Sequence, residues 1–369
     1  MTQADMYISR WQSLRERLVE NGVDALIVNG GPDVDYLTGY AAMPLERLTA
    51  LVARAGDDRP TLVLPELERG RVDHDPNVFD LITWSELEDP VDHLVAVAGD
   101  AQRFAVGDDI WGMHMLSLIR SRPEADLRTV SEAILGVRAV KSAPEMDALR
   151  TVGGLADQVM SMVQNGEIAL VGRTESDIAA DISANLLRVG HDKVMFVIVA
   201  SGPNSASPHH HPSDRVVQSN EMVLFDFGGT HAGYNSDTTR CVFTGQIPAD
   251  VQRAWDALMV AQQEAVDSAV AGNRLGDVDL AARNSLDAAG YGEAFIHRTG
   301  HGIGTQVHEQ PYITSANDDS IVVGHCFSIE PGIYIDGEWG MRLEDIVVIG
   351  EGGQAIRCNQ TNRNLVSVS

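Results

Sequence analysis

Between residues 5 and 20 the apolar positions Tyr7, Trp11, Leu14 and Leu18 recur at helical spacing, and Asn21-Gly22 supplies a stop signal. That pattern predicts an amphipathic helix. A short unbroken apolar run, Ala25–Val28, follows and reads as a buried strand, as do Thr61–Leu64, Phe79–Thr83 and Phe104–Val106. Helical patterns lie between and after these runs, Met113–Ile119 among them. Strands alternating with helices over roughly the first 130 residues predict a compact α/β domain with a partly parallel sheet.

The pattern changes near Val137–Pro144. Pro144 suits the first turn of a helix, where its missing N–H costs nothing, and Glu145 and Asp147 are favourable at a helix N-terminus. We place a domain boundary at about residue 140, giving an N-terminal domain over 1–140 and a C-terminal domain over 141–369. Beyond it, helices are expected over 144–164, 175–188 (with Thr174 as N-cap), 249–271 and 278–289. Strands are expected at Val194–Ala200 and around the motifs discussed below. This half reads as α+β, with helices covering a curved antiparallel sheet.

Composition narrows the picture. At 369 residues, with 44% hydrophobic and 22% charged, the chain is ordinary for a globular protein and comfortable for two domains. Its 53 acidic residues against 27 basic ones give a net charge of −26, which repels phosphate backbones and anionic membranes. Nucleic acid and membrane surfaces are therefore excluded as expected partners. The basic residues are nearly all Arg, the only lysines being Lys141 and Lys193. Three cysteines, Cys241, Cys326 and Cys358, do not make a disulfide framework and suit a reducing compartment. The first residues lack the apolar core of a secretory signal, and no apolar run approaches the roughly 18 residues that span a bilayer. The expected location is the cytoplasm.

The candidate chemistry lies in the second half. Met222–Gly229 (MVLFDFGG) and Ser236–Phe243 (SDTTRCVF) read as a hairpin joined by THAGYN. Alternation puts Val223, Phe225 and Phe227 on one face and Leu224 and Asp226 on the other, while Asp237, Thr239 and Cys241 share a face of the second strand. The hairpin brings Asp226 and Asp237 together, and adjacent carboxylates in a low dielectric repel unless one is protonated or a cation lies between them. The plainer alternative is that either Asp caps the turn. Ile296–Glu309 (IHRTGHGIGTQVHE) carries His297, His301 and His308 interleaved with Gly300, Gly302 and Gly304, which allow close backbone approach. Neither phosphate-loop pattern is matched, and His308-Glu309 lacks the second His of a zincin.

Phe327–Tyr334 (FSIEPGIY) places Glu330 in an apolar strand ended by Pro331-Gly332. Met341–Ile349 (MRLEDIVVI) puts Arg342 and Glu344 on one face, and an Arg342–Glu344 ion pair is the structural alternative there. A carboxylate in such a strand must be paired or coordinated. Together Asp226, Asp237, Glu330, Glu344 and His301 form the mostly oxygen donor set of a dinuclear site for hard or borderline cations. Two such ions about 3.5–4 Å apart lower the pKa of a water between them.

The motifs SGPNSASPHHHPSDR, DFGGTHAGYNSDTTR, HRTGHGIGTQVHE, SIEPGIY and MRLEDIVVI, in this order, resemble those of the M24 metallopeptidase family that includes prolidase and aminopeptidase P. PDVDYLTGY at 32–40 resembles the smaller N-terminal domain of its Xaa-Pro branch. The resemblance implies a pita-bread catalytic fold. It implies Asp226 as bidentate ligand of one metal, His301 and Glu330 on the second, and Asp237 and Glu344 bridging both. Glu330 would be the general base, His209 a proton-shuttling or substrate-binding residue, and His308 the group that stabilises the tetrahedral intermediate. His297 and Arg342 would shape the pocket and orient Glu344. His210 and His211 are taken as surface neighbours without a role. The implied reaction is hydrolysis of a small peptide with proline at its second position, by a homodimer using two divalent ions. Manganese is the metal the family suggests, and the ligand types leave zinc, cobalt and iron open. Two rivals remain: hydrolysis of a non-peptide C–N bond in a small amide or compatible solute, and a non-catalytic peptide-binding module. The second is disfavoured because such relatives lose the ligands present here. A serine nucleophile is disfavoured because no Gly-x-Ser-x-Gly elbow occurs.

Overall fold

The structure, a computed structural model, describes residues 2–368, and its chain divides into two compact units between Arg138 and Ala139. In the first unit the order is α1 (Gln3–Glu20), β1 (Ala25–Asn29), α2 (Pro32–Thr38), β2 (Ala50–Arg54), β3 (Thr61–Pro65), β4 (Asp80–Trp84), α3 (Pro90–Ala98), β5 (Arg103–Val106), α4 (Gly112–Ser121), β6 (Asp126–Thr129) and α5 (Val130–Ile134). The six strands form one sheet in the order β4-β3-β2-β1-β5-β6. β1 runs antiparallel to β2 and parallel to β5, which makes the sheet mixed, as the strand–helix alternation predicts.

Every residue of β1 is buried because both faces of the sheet are covered. Leu26 and Val28 point into a core built with Trp11, Leu14 and Leu18 of α1. Ala25 and Ile27 join the opposite core, with Val91 and Leu94 of α3 and Leu118 of α4. The period of two thus partitions one apolar run between two cores.

The second unit opens with α6 (Ala143–Gln164) and α7 (Glu175–Val189), then β7 (Lys193–Ser201), β8 (Met222–His231), β9 (Tyr234–Asn235) and β10 (Thr238–Thr244). Next come α8 (Ala249–Ser268), α9 (Leu275–Ala288), β11 (Gly300–Gly302), β12 (Glu309–Ile313), β13 (Cys326–Ile329), β14 (Gly332–Ile335), β15 (Trp339–Arg342), β16 (Asp345–Ile349), β17 (Ala355–Arg357) and β18 (Val366–Val368). A Ser142–Glu145 capping box starts α6, and Thr174 accepts from the Asp177 N–H to start α7.

Two sheets position the site. One has the order β18-β10-β8-β7 with β9 beside β8; the other has the order β12-β11-β13-β16-β17. Pairing is antiparallel except between β10 and β18. On β8, Val223, Phe225 and Phe227 pack into a core with Val159 and Met160 of α6 and Ile178 and Ile182 of α7, leaving Asp226 on the other face.

Candidate metal centre

Asp226 sits in the middle of β8, where its register partner on β10 is Thr239. Asp237 is not inside the second strand, as the sequence suggests, but in the break between β9 and β10. That break is made by side chains that bond the backbone. Ser236 Oγ lies 3.1 Å from the Gly229 N–H, and Asn235 Nδ2 donates to the Gly304 carbonyl at 3.0 Å. Gly228 permits the close approach, since a Cβ there would stand 2.1 Å from the Ser236 carbonyl oxygen. The expected strand over 341–349 is likewise divided. β15 ends at Arg342 and β16 begins at Asp345, while the Glu344 N–H reaches across to the Thr239 carbonyl at 3.2 Å. Glu330 follows directly on β13, and its N–H bonds the Thr299 carbonyl at 2.8 Å.

These turns bring five side chains together. Ligand atoms of Asp226, Asp237 and Glu344 lie within 4.8 Å of one another, and so do those of His301, Glu330 and Glu344. A third such group joins Asp237 and His301 to His308, whose ring centroid is 3.9 Å from that of His301. Gly300 belongs beside His301 because a Cβ there would be 1.9 Å from the Ser328 carbonyl oxygen. The cluster lines a cavity of about 590 Å³ together with His209, His297, Arg298 and Arg342.

The electrostatics are those of acids crowded away from water. Burial, then Glu344 and Asp226, push the Asp237 carboxyl well above the usual carboxylate range. Burial, then Glu330 and Asp226, do the same to Glu344. Burial raises Glu330 to about 7 against the pull of Arg342. Asp226 Oδ1, Asp237 Oδ1 and Glu344 Oε1 are buried with no hydrogen-bond partner among the described residues. Buried acceptors of this kind cost free energy unless something satisfies them.

His301 makes the same point from the nitrogen side. Burial, with His308 nearby, lowers its pKa to about 3, so the ring is neutral. Its Nδ1 lies 3.1 Å from the Gly302 carbonyl, which can only accept, so Nδ1 carries the proton. Nε2 then presents a lone pair to Glu330 Oε1 at 3.3 Å and Asp237 Oδ2 at 3.7 Å. Lone pairs facing lone pairs, beside bare carboxylate oxygens, are the donor arrangement of a cation site, and these residues fit a divalent metal.

Arg342 is a buried cation against this cluster, and the ion pair with Glu344 weighed above as the structural alternative is not the one it makes. It pairs with Asp226 rather than with the Glu344 carboxylate. It reaches Glu344 only through Thr239, whose hydroxyl accepts from Arg342 Nε at 3.1 Å and donates to Glu344 Oε2 at 2.7 Å. Burial would lower its pKa, but Tyr334, Asp226 and Glu330 outweigh that and hold it charged. Arg342 Nη1 also donates to Tyr334 Oη at 2.8 Å, and that hydroxyl lies 2.9 Å from His297 Nε2. Burial and Arg342 lower His297 to about 4, and its Nδ1 faces the Arg298 carbonyl at 2.7 Å, so Tyr334 donates to the bare Nε2.

Thr239, Ser328 and Tyr334 were given no role in the reading of the sequence. Ser328 Oγ accepts from the His301 N–H and donates to Glu330 Oε1, both at 3.0 Å. The signal for Thr239 was available, since it shares the face of Asp237 two residues on. His209 and His308 both line the cavity and are exposed to it, and burial lowers the pKa of His308. Next to His308, Glu309 is buried in an ion pair with Lys141 at 2.7 Å. His210, taken above for surface decoration, is instead bonded to the buried Glu175 at 2.8 Å. No helix among the described residues is long and apolar enough to cross a membrane.

Comparison with known proteins agrees with this geometry. Residues 147–351 match Metallopeptidase family M24, and residues 10–140 match the Creatinase/Prolidase N-terminal domain. A probable dipeptidase PepE of Mycobacterium tuberculosis is 40% identical over 99% of this chain and 97% of its own. An Xaa-Pro dipeptidase of Lactobacillus delbrueckii subsp. lactis is 36% identical over 92% of this chain and 94% of its own. Among solved structures, dipeptidase PepE from Mycobacterium ulcerans superposes with a TM-score of 0.93 at 39% identity, covering 100% of both chains. A prolidase from Thermococcus sibiricus gives 0.84 at 31% identity, also over 100% of both.

Proposed function

The chain belongs to metallopeptidase family M24, and on that premise we propose that it hydrolyses the peptide bond before proline in Xaa-Pro dipeptides. The observation that carries this reading is the set of bare, buried carboxylate oxygens on Asp226, Asp237 and Glu344, beside which His301 groups with Asp237 and with Glu330 and Glu344. The relative from Lactobacillus is named for the same substrate. Asp226, Asp237, His301, Glu330 and Glu344 would hold two divalent ions, manganese first among them. Bound there, such ions supply Lewis acidity at the scissile carbonyl and lower the pKa of the attacking water.

The chain's own residues do the rest. Glu330, which lines the cavity beside His301, takes the proton of the attacking water and carries it toward the leaving nitrogen. His308, whose pKa burial lowers, lines the cavity where it can stabilise the developing oxyanion. His209 serves the proton and the substrate from the same cavity. Tyr334 and Thr239 fix Arg342, and Arg342 in turn fixes Asp226. Proline nitrogen in peptide linkage has no hydrogen, so a pocket that asks for none suits this bond. The division near residue 140 is then functional as well, because every residue assigned here lies beyond it. A cytoplasmic homodimer completes the proposal.

The test is hydrolysis of Xaa-Pro dipeptides and Xaa-Pro-Yaa tripeptides by metal-stripped protein, with and without Mn²⁺. Cleavage of dipeptides that appears only with the metal is the expected result. Cleavage confined to tripeptides would make the enzyme an aminopeptidase. No cleavage despite two bound ions would move the substrate to a non-peptide C–N bond.

A further inference from the structure

Glu175 opens α7 and is completely buried, yet it is the opposite of a vacant ligand. Its carboxylate accepts from Ser201 N and Oγ (2.7 Å each), Asn204 Nδ2 (3.1 Å), His210 Nε2 (2.8 Å), and Ser213 N (3.1 Å) and Oγ (2.6 Å). All of these donors belong to residues 201–213, the stretch that carries His209 to the cavity. Burial raises the pKa of Glu175, but the bonds from Ser213, Ser201 and His210 together outweigh it and hold the group at about 2. The carboxylate is therefore charged and can only accept, so His210 Nε2 must bear hydrogen.

His209 itself has no hydrogen-bond partner among the described residues, so its place is set by its chain neighbours. On one side the Pro208 carbonyl accepts from Arg342 Nη1 at 3.3 Å. On the other side stands His210, bonded to Glu175. The imidazole facing the substrate thus hangs between two anchors. One is shared with the metal centre, and the other is independent of it.

We propose that His210, held by Glu175, is a positioning residue for His209. The Glu175–His210 bond fixes the backbone from which His209 reaches substrate, and its loss frees that imidazole without touching the metal ligands. The inference rests on the reading that His209 acts on substrate. The geometry assigns no direct contact with substrate to His210.

The test is a double-mutant cycle on the Mn²⁺-loaded enzyme with an Xaa-Pro dipeptide, alongside bound-metal content and thermal melts. His210→Ala is expected to lower kcat between about 10- and 100-fold with metal content unchanged. In a His209→Ala background the same change should have almost no further effect. His210→Gln, whose amide N–H can still donate to Glu175, should recover most of the loss. Should His210→Ala fail to fold, His210→Asn, too short to reach Glu175, takes its place in the cycle. An equal loss from the His210 change with and without His209 would overturn the inference while leaving the role of His209 intact. An unimpaired His209→Ala enzyme would overturn both. A second readout needs no turnover: ¹⁵N shifts of the metal-free protein should show a protonated His210 Nε2, and an unprotonated one would overturn the assignment.

Discussion

Glu344 and Asp345 are neighbours in the chain, each at most 1% exposed, yet their carboxylates enter opposite surroundings. Asp345 lies 2.6 Å from Arg240, 2.9 Å from Arg357 and 3.5 Å from Arg363, and accepts from Gln262 Nε2 at 3.1 Å. Glu344 meets other acids instead, has one hydroxyl partner in Thr239, and keeps Oε1 bare. One region supplies its own cations and the other leaves the charge to be supplied. A buried acid that the chain has already neutralised belongs to the architecture, while one left bare among its own kind belongs to a ligand.

The strongest way to break that comparison is to remove an acid from the uncompensated side. Glu344→Ala or Asp237→Ala should abolish metal binding and lower turnover on the order of 10³-fold or more, with the fold intact by circular dichroism. Retained activity without bound metal would sink the metal reading. On the compensated side, Asp345→Ala should leave the buried Arg240 without its carboxylate and cost about 3–5 kcal/mol of stability in denaturant melts. A cost under about 1 kcal/mol would show that its ion pairs are not what holds that region.

Smaller effects sharpen the contrast. His308→Ala should keep the metal and lose about 10²-fold in kcat, and an unchanged rate would strip it of its role. The gentlest test is pH, at up to about 1.4 kcal/mol per pH unit for each proton by which the folded and unfolded states differ. In the metal-free protein Glu330 is raised to about 7, and Asp237 and Glu344 are raised as well. Their contribution is present below the ordinary carboxylate range and is lost as pH climbs toward and through 7. Glu175, lowered to about 2, works the other way: its contribution is present above the ordinary range and is lost as pH falls toward 2. Metal-free stability should therefore decline from mildly acidic to neutral pH, and bound metal should remove that decline. A metal-free melt that rises over this window would contradict the crowded-acid picture.

Much of this is legible in the sequence itself. The alternation of Val223, Phe225 and Phe227 against Asp226 is visible in the sequence because a strand has one fixed period. The breaks that aim Asp237 and Glu344 were not visible. They come from Asn235 and Ser236 bonding distant backbone and from a cross-strand Glu344–Thr239 bond, none of which leaves a periodic trace. Tyr334 was quoted within its motif but given no work, because a tyrosine in an apolar strand gives no sign of meeting an arginine and a histidine. His210 was misread because its partner lies 35 residues away. In the first unit β2 was passed over, since Ala-Leu-Val-Ala has one β-branched residue and its alanines and leucine favour helix.

The sealed ion pair beside His308 has a practical consequence for chemical labelling. Of the two lysines, Lys141 is closed off against Glu309, and all three cysteine thiols are buried. Lys193, exposed at the start of β7, is left as the only side-chain amine open to acylating reagents in the folded protein. A dye or surface linker would therefore attach at one defined side chain, close in sequence to Met195 and Phe196 of the cavity wall. Acylation of Lys141 would then mark molecules that have come unfolded.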